Sequence, residues 1–232
     1  MRPLVISHAA CGGHAPENTL AGIRKAIELG ADAIEIDVQA SADGVPVLMH
    51  DLTVDRTTNG TGAVAQLTLA ELRALDAGGE PVPTLAEVLD LTKGKVLLVM
   101  EIKQAGIEEH IVRVVRDAGA RNDVMAWSFL PPALAGMRQA DPGIAGALLV
   151  AGPSLTQWPK MRHIALKTGL QGVSVYCDGL TPVIAEDCRR SGLALYSWTA
   201  DSRSQIQTLI DLDVDGICSN FPDRVISALN EG

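Results

Sequence analysis

Short apolar or β-branched runs alternate with helix-patterned stretches along almost the whole of this chain. Residues 4–7, 33–39, 96–102, 124–128, 147–150, 172–175, 194–198 and 216–219 read as strands. Residues 17–29, 108–118, 132–140, 182–191, 203–212 and 222–229 read as helices lying between most of them. Parallel strands need long crossovers, and a helix supplies one, so the alternation predicts a parallel sheet with helices outside. Eight such units within 232 residues predict an α/β fold, a single (β/α)8 TIM-type barrel occupying residues 1–232 as one domain. No Gly-x-Gly-x-x-Gly follows the first strand, which argues against a dinucleotide-binding sheet.

One segment interrupts the alternation. The runs 33–39 and 45–50 are too close for a parallel crossover, and Asp43-Gly44 lies between them. Asp-Gly between apolar runs signals a hairpin. A two-residue turn there pairs Ala42 with Val45, Gln39 with Leu48 and Asp37 with His50. Residues 53–62 read as a loop, and residues 68–75 and 84–91 as short helices capped by threonine. The β-hairpin and small helical insertion, about residues 43–92, are expected at the C-terminal face of the strands, where barrels build their sites.

Composition narrows the functional classes. A net charge of -9 is a poor match for nucleic acid or an anionic membrane surface. No apolar run reaches membrane-spanning length and none has the form of a signal-peptide core, so a cytoplasmic protein without stable membrane insertion is expected. Cys11, Cys177, Cys188 and Cys218 lack metal-ligand spacing and any disulfide pattern. Cys11 lies near His8 but is discounted as a nucleophile, because the nearby carboxylates give a thiol nothing to do.

Those carboxylates are the main chemical signal. Glu35 and Asp37 are two apart in a strand, so they share a face. Inside an apolar barrel they need neutralising, and oxygen-only ligation suits a divalent cation, Mg²⁺ or Ca²⁺. Strand-end charges in solvent, or paired with a lysine, are the alternative. Glu101 ends another apolar run and can complete a three-carboxylate metal set. His8 and His50 fall at the same expected barrel end and can serve as acid and base near neutrality. His14 reads as a loop residue at the rim. His110 and His163 read as surface residues.

Several runs are more specific than this. Ala15-Pro16-Glu17-Asn18-Thr19, Glu35-Ile36-Asp37-Val38, Asp43-Gly44-Val45-Pro46-Val47, His50-Asp51, residues 55–62, Pro83-Thr84-Leu85 and Glu101-Ile102-Lys103 together resemble the glycerophosphodiester phosphodiesterases of the phospholipase C-like superfamily. Ser128-Phe129, Trp198-Thr199 and Asp215-Gly216-Ile217 extend the resemblance along nearly the whole chain. It implies cation-dependent hydrolysis of a small-molecule glycerophosphodiester to sn-glycerol 3-phosphate and an alcohol. It further implies Glu35, Asp37 and Glu101 as metal ligands, His8 and His50 as the acid/base pair, Lys103 on the phosphate and Trp198 in the substrate pocket. The implied route begins with attack by the glycerol hydroxyl beside the phosphate and passes through a cyclic phosphate that water opens.

Two departures stand out. The family carries His-Arg-Gly after the first strand, and this chain carries His8-Ala9-Ala10. Alanine cannot replace a bidentate arginine–phosphate contact, so His14 or Arg56 is the candidate substitute. The last strand ends Cys218-Ser219-Asn220-Phe221-Pro222, where the family usually has Thr-Asp before the aromatic and proline. Ala9 leaves open a phosphate-ligand-binding barrel with weak turnover, or a diesterase acting on lysophospholipid headgroups.

Overall fold

The computed structural model describes residues 2–231. Its strands are β1 (Leu4–Ser7), β2 (Ala33–Ala40), β3 (Pro46–Leu48), β4 (Leu97–Ile102), β5 (Val124–Ser128), β6 (Ala145–Val150), β7 (Gly172–Tyr176), β8 (Ala194–Trp198) and β9 (Gly216–Ser219). All but β3 pair in parallel, and the β1–β2 pairing closes them into an eight-stranded barrel. β3 lies outside the barrel, antiparallel to the second half of β2. Helices α1 (Leu20–Leu29), α2 (Leu69–Arg73), α3 (Leu85–Thr92), α4 (Glu108–Asp117), α5 (Pro131–Ala140), α6 (Trp158–Thr168), α7 (Pro182–Ser191), α8 (Arg203–Asp211) and α9 (Pro222–Asn230) complete it. Among the described residues, no helix is long and apolar enough to cross a membrane.

Strand periodicity sorts the core into two layers. One face of each strand, with residues such as Ile34, Ile36, Leu98, Met100 and Ala126, packs outward against the helices. The other face, with Ile6, Ala33, Val99, Trp127, Ala147, Leu149, Tyr196 and Cys218, fills the barrel. Glu35 and Asp37 have the parity of Ala33, and Glu101 has that of Val99, so these carboxylates belong to the interior layer. The register sets Asp37 beside Glu101 and Glu101 beside Trp127.

Local chemistry explains the helix ends. Thr19, not Glu17, starts α1, because its hydroxyl accepts from the Gly22 N–H. Gly30 closes α1 at φ 83°. Thr68 and Thr84 each form a capping box with a glutamate three residues on. α6 escapes the sequence pattern because it has almost no apolar stripe: only Trp158 and Ala165 are buried. His163 is exposed, as expected of a surface residue. His110 is half-buried, because its ring covers the hairpin at Gly44, where a Cβ would sit 3.0 Å from Cε1.

The hairpin departs from expectation by one residue. Val38, not Gln39, faces Leu48, and Gln39 faces Val47. The loop holds three residues: Ser41 and Val45 pair through Ser41 N–H donating to Val45 O at 3.0 Å, and Gly44 takes φ 78°. A left-handed glycine ending a three-residue loop is a standard alternative to the two-residue turn. Ser41 selects it here, since its hydroxyl donates to Asp43 Oδ1 and accepts from Val45 N–H. Asp37 O therefore accepts from Met49 N–H at 3.0 Å, β3 ends at Leu48, and His50 leaves the strand. The insertion builds a small core of its own around Val54, Val64, Leu72 and Val82.

At the opposite end of the barrel, Asp32 ties β1 to β2. Its Oδ2 accepts from Val5 N–H at 2.8 Å, and Arg2 donates to both oxygens at 2.7 Å. Burial pushes the carboxyl up, but the bonds from Arg2 and Val5 outweigh it and hold Asp32 below its ordinary value. A depressed acid stabilises the fold above its unfolded pKa, and that contribution disappears as pH falls through the folded one. Asp32→Asn is expected to destabilise by about 1–2 kcal/mol at neutral pH. Denaturant midpoints at pH 7 and pH 3 check this: the penalty should shrink at the lower pH, and an unchanged penalty would count against the account.

Candidate active site

The C-terminal strand ends gather the polar residues. β1 delivers His8 through a turn whose Ala9, Ala10 and Cys11 all take left-handed φ, at 46°, 54° and 71°. This backbone is strained for residues with a Cβ, and such strain is typical of functional sites. It aims the Ala9 N–H at Glu35 Oε2, at 2.9 Å. Ala10 thus occupies a conformation suited to the glycine that the resemblance expects there.

Glu35, Asp37 and Glu101 converge, with one oxygen from each lying within 4.8 Å of the others. Glu35 and Asp37 are 3% and 1% exposed. Burial, followed by the like charges of Asp37 and Glu101, pushes the Glu35 carboxyl well above its ordinary value. Its Oε1 is buried without a hydrogen-bond partner. An orphaned buried oxygen among three carboxylates fits an oxygen-ligated divalent cation. Lys103 Nζ lies 2.8 Å from Asp37 Oδ1 and 2.7 Å from Glu101 Oε1. Burial alone would lower the Lys103 amine, but the two carboxylates hold it above its usual value.

Both histidines are held by Nδ1. His8 Nδ1 is 2.8 Å from Asn220 Oδ1, while Asn220 Nδ2 donates to Asp201 Oδ2 at 2.7 Å. The amide orientation makes Oδ1 the acceptor, so His8 carries its proton on Nδ1. His8 Nε2 lies 4.0 Å from Glu35 Oε2. His50 Nδ1 is 2.6 Å from Asp51 Oδ1. Asp51 also accepts from Arg56 Nε at 2.6 Å, and Arg56 donates to both oxygens of Glu17. His8, Glu35, His50, Glu101, Lys103, Phe129 and Trp198 line one open cavity at the barrel mouth.

Two candidates lie elsewhere. Arg56 is committed to Asp51 and Glu17 and does not line the cavity, so it braces His50 rather than replacing the family arginine. His14 Nε2 is 2.6 Å from Asp223 Oδ1, its ring rests edge-on against Phe221, and it is likewise absent from the lining. Both also pair with carboxylates of this chain, as Lys103 does, but Lys103 lines the cavity and they do not. Cys11 is fully buried, and burial pushes its thiol up, consistent with its dismissal as a nucleophile.

Sequence reasoning missed three supporting residues. Asn18 donates to Asp37 Oδ2 at 2.6 Å and accepts from Asp37 N–H at 2.9 Å. It belongs to the run 15–19, and its left-handed φ of 55° is one asparagine tolerates. Asn220 carried a signal only as a departure from the family pattern. Asp201, which accepts from Asn220 N–H and Ser219 Oγ at 2.9 Å, carried none.

Comparison with known proteins agrees with this geometry. Residues 8–224 match the model of the glycerophosphoryl diester phosphodiesterase family. A glycerophosphodiester phosphodiesterase of Caldanaerobacter subterraneus subsp. tengcongensis is 36% identical, with 100% of each chain covered. An Oleispira antarctica phosphodiesterase, solved in complex with the product sn-glycerol-3-phosphate, is 29% identical at TM-score 0.89, covering 98% of this chain and 97% of its own. A glycerophosphodiester phosphodiesterase from Agrobacterium tumefaciens is 28% identical at TM-score 0.86, covering 97% of this chain and 100% of its own. Match length, identity and the barrel together establish that the chain belongs to the glycerophosphoryl diester phosphodiesterase family.

Proposed function

We propose that this chain hydrolyses small glycerophosphodiesters to sn-glycerol 3-phosphate and an alcohol, with His8 and His50 exchanging protons with the substrate beside a divalent cation. Family membership makes it a phosphoric diester hydrolase. The observation that carries the finer reading is the buried Glu35–Asp37–Glu101 cluster with its orphaned Glu35 Oε1, flanked by two histidines on one cavity. One barrel domain bears the whole site, and the insertion over residues 43–92 brings His50 to it.

The residues divide the work. Glu35, Asp37 and Glu101 would hold Mg²⁺ or Ca²⁺, which when bound offsets negative charge on the phosphoryl oxygens. Lys103 faces the same cavity and supplies a positive charge for the phosphate. Asn220 and Asp51 fix the imidazoles, so that each Nε2 remains to accept or give a proton. One histidine takes the proton of the attacking glycerol hydroxyl while the other protonates the departing alkoxide. The pair then reverses roles when water opens the cyclic phosphate.

Released sn-glycerol 3-phosphate, measured from several glycerophosphodiesters with Mg²⁺ or Ca²⁺ and again after chelation, tests the reading. Turnover that a chelator abolishes and added cation restores is the expected result. Binding of the diesters without turnover at any cation concentration would instead favour the weak-activity barrel that Ala9 leaves open.

A further inference from the structure

The strand ladder stops at Leu48, two residues before His50 reaches the cavity. Among the described residues, neither the N–H nor the C=O of His50 makes a main-chain hydrogen bond. Its two neighbours are anchored instead. Met49 N–H donates to Asp37 O at 3.0 Å. The side-chain amide of Gln39 donates to Met49 O at 2.8 Å and to Asp51 O as well. One amide therefore grips both carbonyls that flank His50. These contacts also fix the amide orientation, because Oε1 in that place would face two other oxygens.

Gln39 follows Glu35 and Asp37 on the same face of β2 and is 1% exposed. An amide buried that deeply is tolerated where its polar hydrogens find acceptors, and here they do. Its main chain already faces Val47 in the β2–β3 pairing, so the side chain is left for the segment beyond the ladder. Asp51 is held at both ends. Its carbonyl takes the Gln39 bond, while its carboxylate meets His50 Nδ1 and Arg56 Nε, each at 2.6 Å. The His50 side chain is 47% exposed, so packing does little to place it. Without Gln39, residues 49–51 keep a single hydrogen bond to β2, that of Met49 N–H.

We propose that Gln39 is a positioning residue for proton transfer: it clamps the backbone on both sides of His50 and so sets where the imidazole stands in the cavity. This rests on the phosphodiesterase reading above and adds to it a residue that does not itself line the cavity. The clamp acts on His50 twice, through the peptides next to it and through Asp51, whose carboxylate holds the ring. A reacting group displaced by about 1 Å loses up to about 10²-fold in rate, which is the leverage such a clamp has.

Gln39→Met keeps the length of the side chain and removes both donors. We expect kcat on a glycerophosphodiester to fall about ten- to a hundredfold, with KM changed less than about twofold. Placed in a His50→Ala background, Gln39→Met should change kcat by less than about twofold, because effects that run through one residue do not add. A parental kcat for Gln39→Met would overturn the proposal. So would an undiminished loss in the His50→Ala background, the mark of a general structural role. If methionine is not accommodated, Gln39→Asn serves with the same outcomes, since its amide is one methylene too short to span both carbonyls. A second arm needs no turnover. The chain has five histidines, and the imidazole NMR signal missing from His50→Ala identifies His50. In Gln39→Met that signal should shift and broaden, and an unchanged His50 signal would overturn the clamp. Absence of turnover in the parent on every diester would instead overturn the phosphodiesterase reading, and the imidazole signal would still decide on Gln39.

Discussion

His50→Ala is expected to lower kcat on a glycerophosphodiester by about 10²- to 10⁴-fold, the range of a lost general acid or base. The side chain is 47% exposed and contributes to no core, so thermal stability should stay within about 0.5 kcal/mol of the parent. That contrast separates a chemical role from a structural one. His8→Ala should fall into the same range of kcat, although it also frees Asn220 Oδ1 from its only described ring partner. An activated aryl diester distinguishes the two roles. A phenolate of low basicity leaves without a proton, so the variant lacking the acid should recover much of its rate on that substrate and the variant lacking the base should not. Near-parental kcat in both variants on the natural diester would remove the two-histidine mechanism. Asp51→Asn gives a graded check, because it keeps a hydrogen bond to His50 but loses the charge that Arg56 holds in place.

The barrel was legible because its signal is repetitive. Eight apolar runs separated by helix-length segments admit few other folds, and β1, β5, β8 and β9 fall on the residues the sequence pattern marks. The carboxylate cluster was legible for a related reason: charge placed two apart in a buried strand has to be compensated by something nearby. Other parts depend on contacts distant in sequence. The hairpin register turns on a Ser41 hydroxyl choosing between loop lengths, and one residue there moves every pair. Arg56 and His14 carry no mark in the sequence that Glu17 and Asp223 will claim them. The Asp201–Asn220–His8 chain joins residues 212 or fewer positions apart, and no periodicity reports on it. Family likeness pointed to the carboxylates and histidines that the structure gathers at one cavity, and the three-dimensional contacts show which polar groups pair outside it.

Glu35→Gln should abolish turnover and yet stabilise the cation-free protein. Without an ion, Glu35 is a buried acid facing Asp37 and Glu101, with one oxygen lacking any hydrogen-bond partner. Lys103 reaches Asp37 and Glu101, so the cluster has more negative than positive charge to accommodate. Glutamine removes one negative charge, keeps an acceptor for the Ala9 N–H, and turns the orphaned oxygen into a donor beside two carboxylates. Relief of an unsatisfied buried group is of the order of 1–3 kcal/mol. At this chain length each kcal/mol moves the thermal midpoint by about 2–4 °C, so a rise of several degrees is expected in chelator. Adding Mg²⁺ or Ca²⁺ should then reverse the order. The parent gains stability as the ion binds its folded state, and Glu35→Gln, with a ligand charge removed, gains much less. Calorimetry with and without ion gives four midpoints. If the variant gains as much from the ion as the parent does, or if it keeps normal turnover, Glu35 is not a ligand and the cluster must be neutralised by protonation and Lys103 instead.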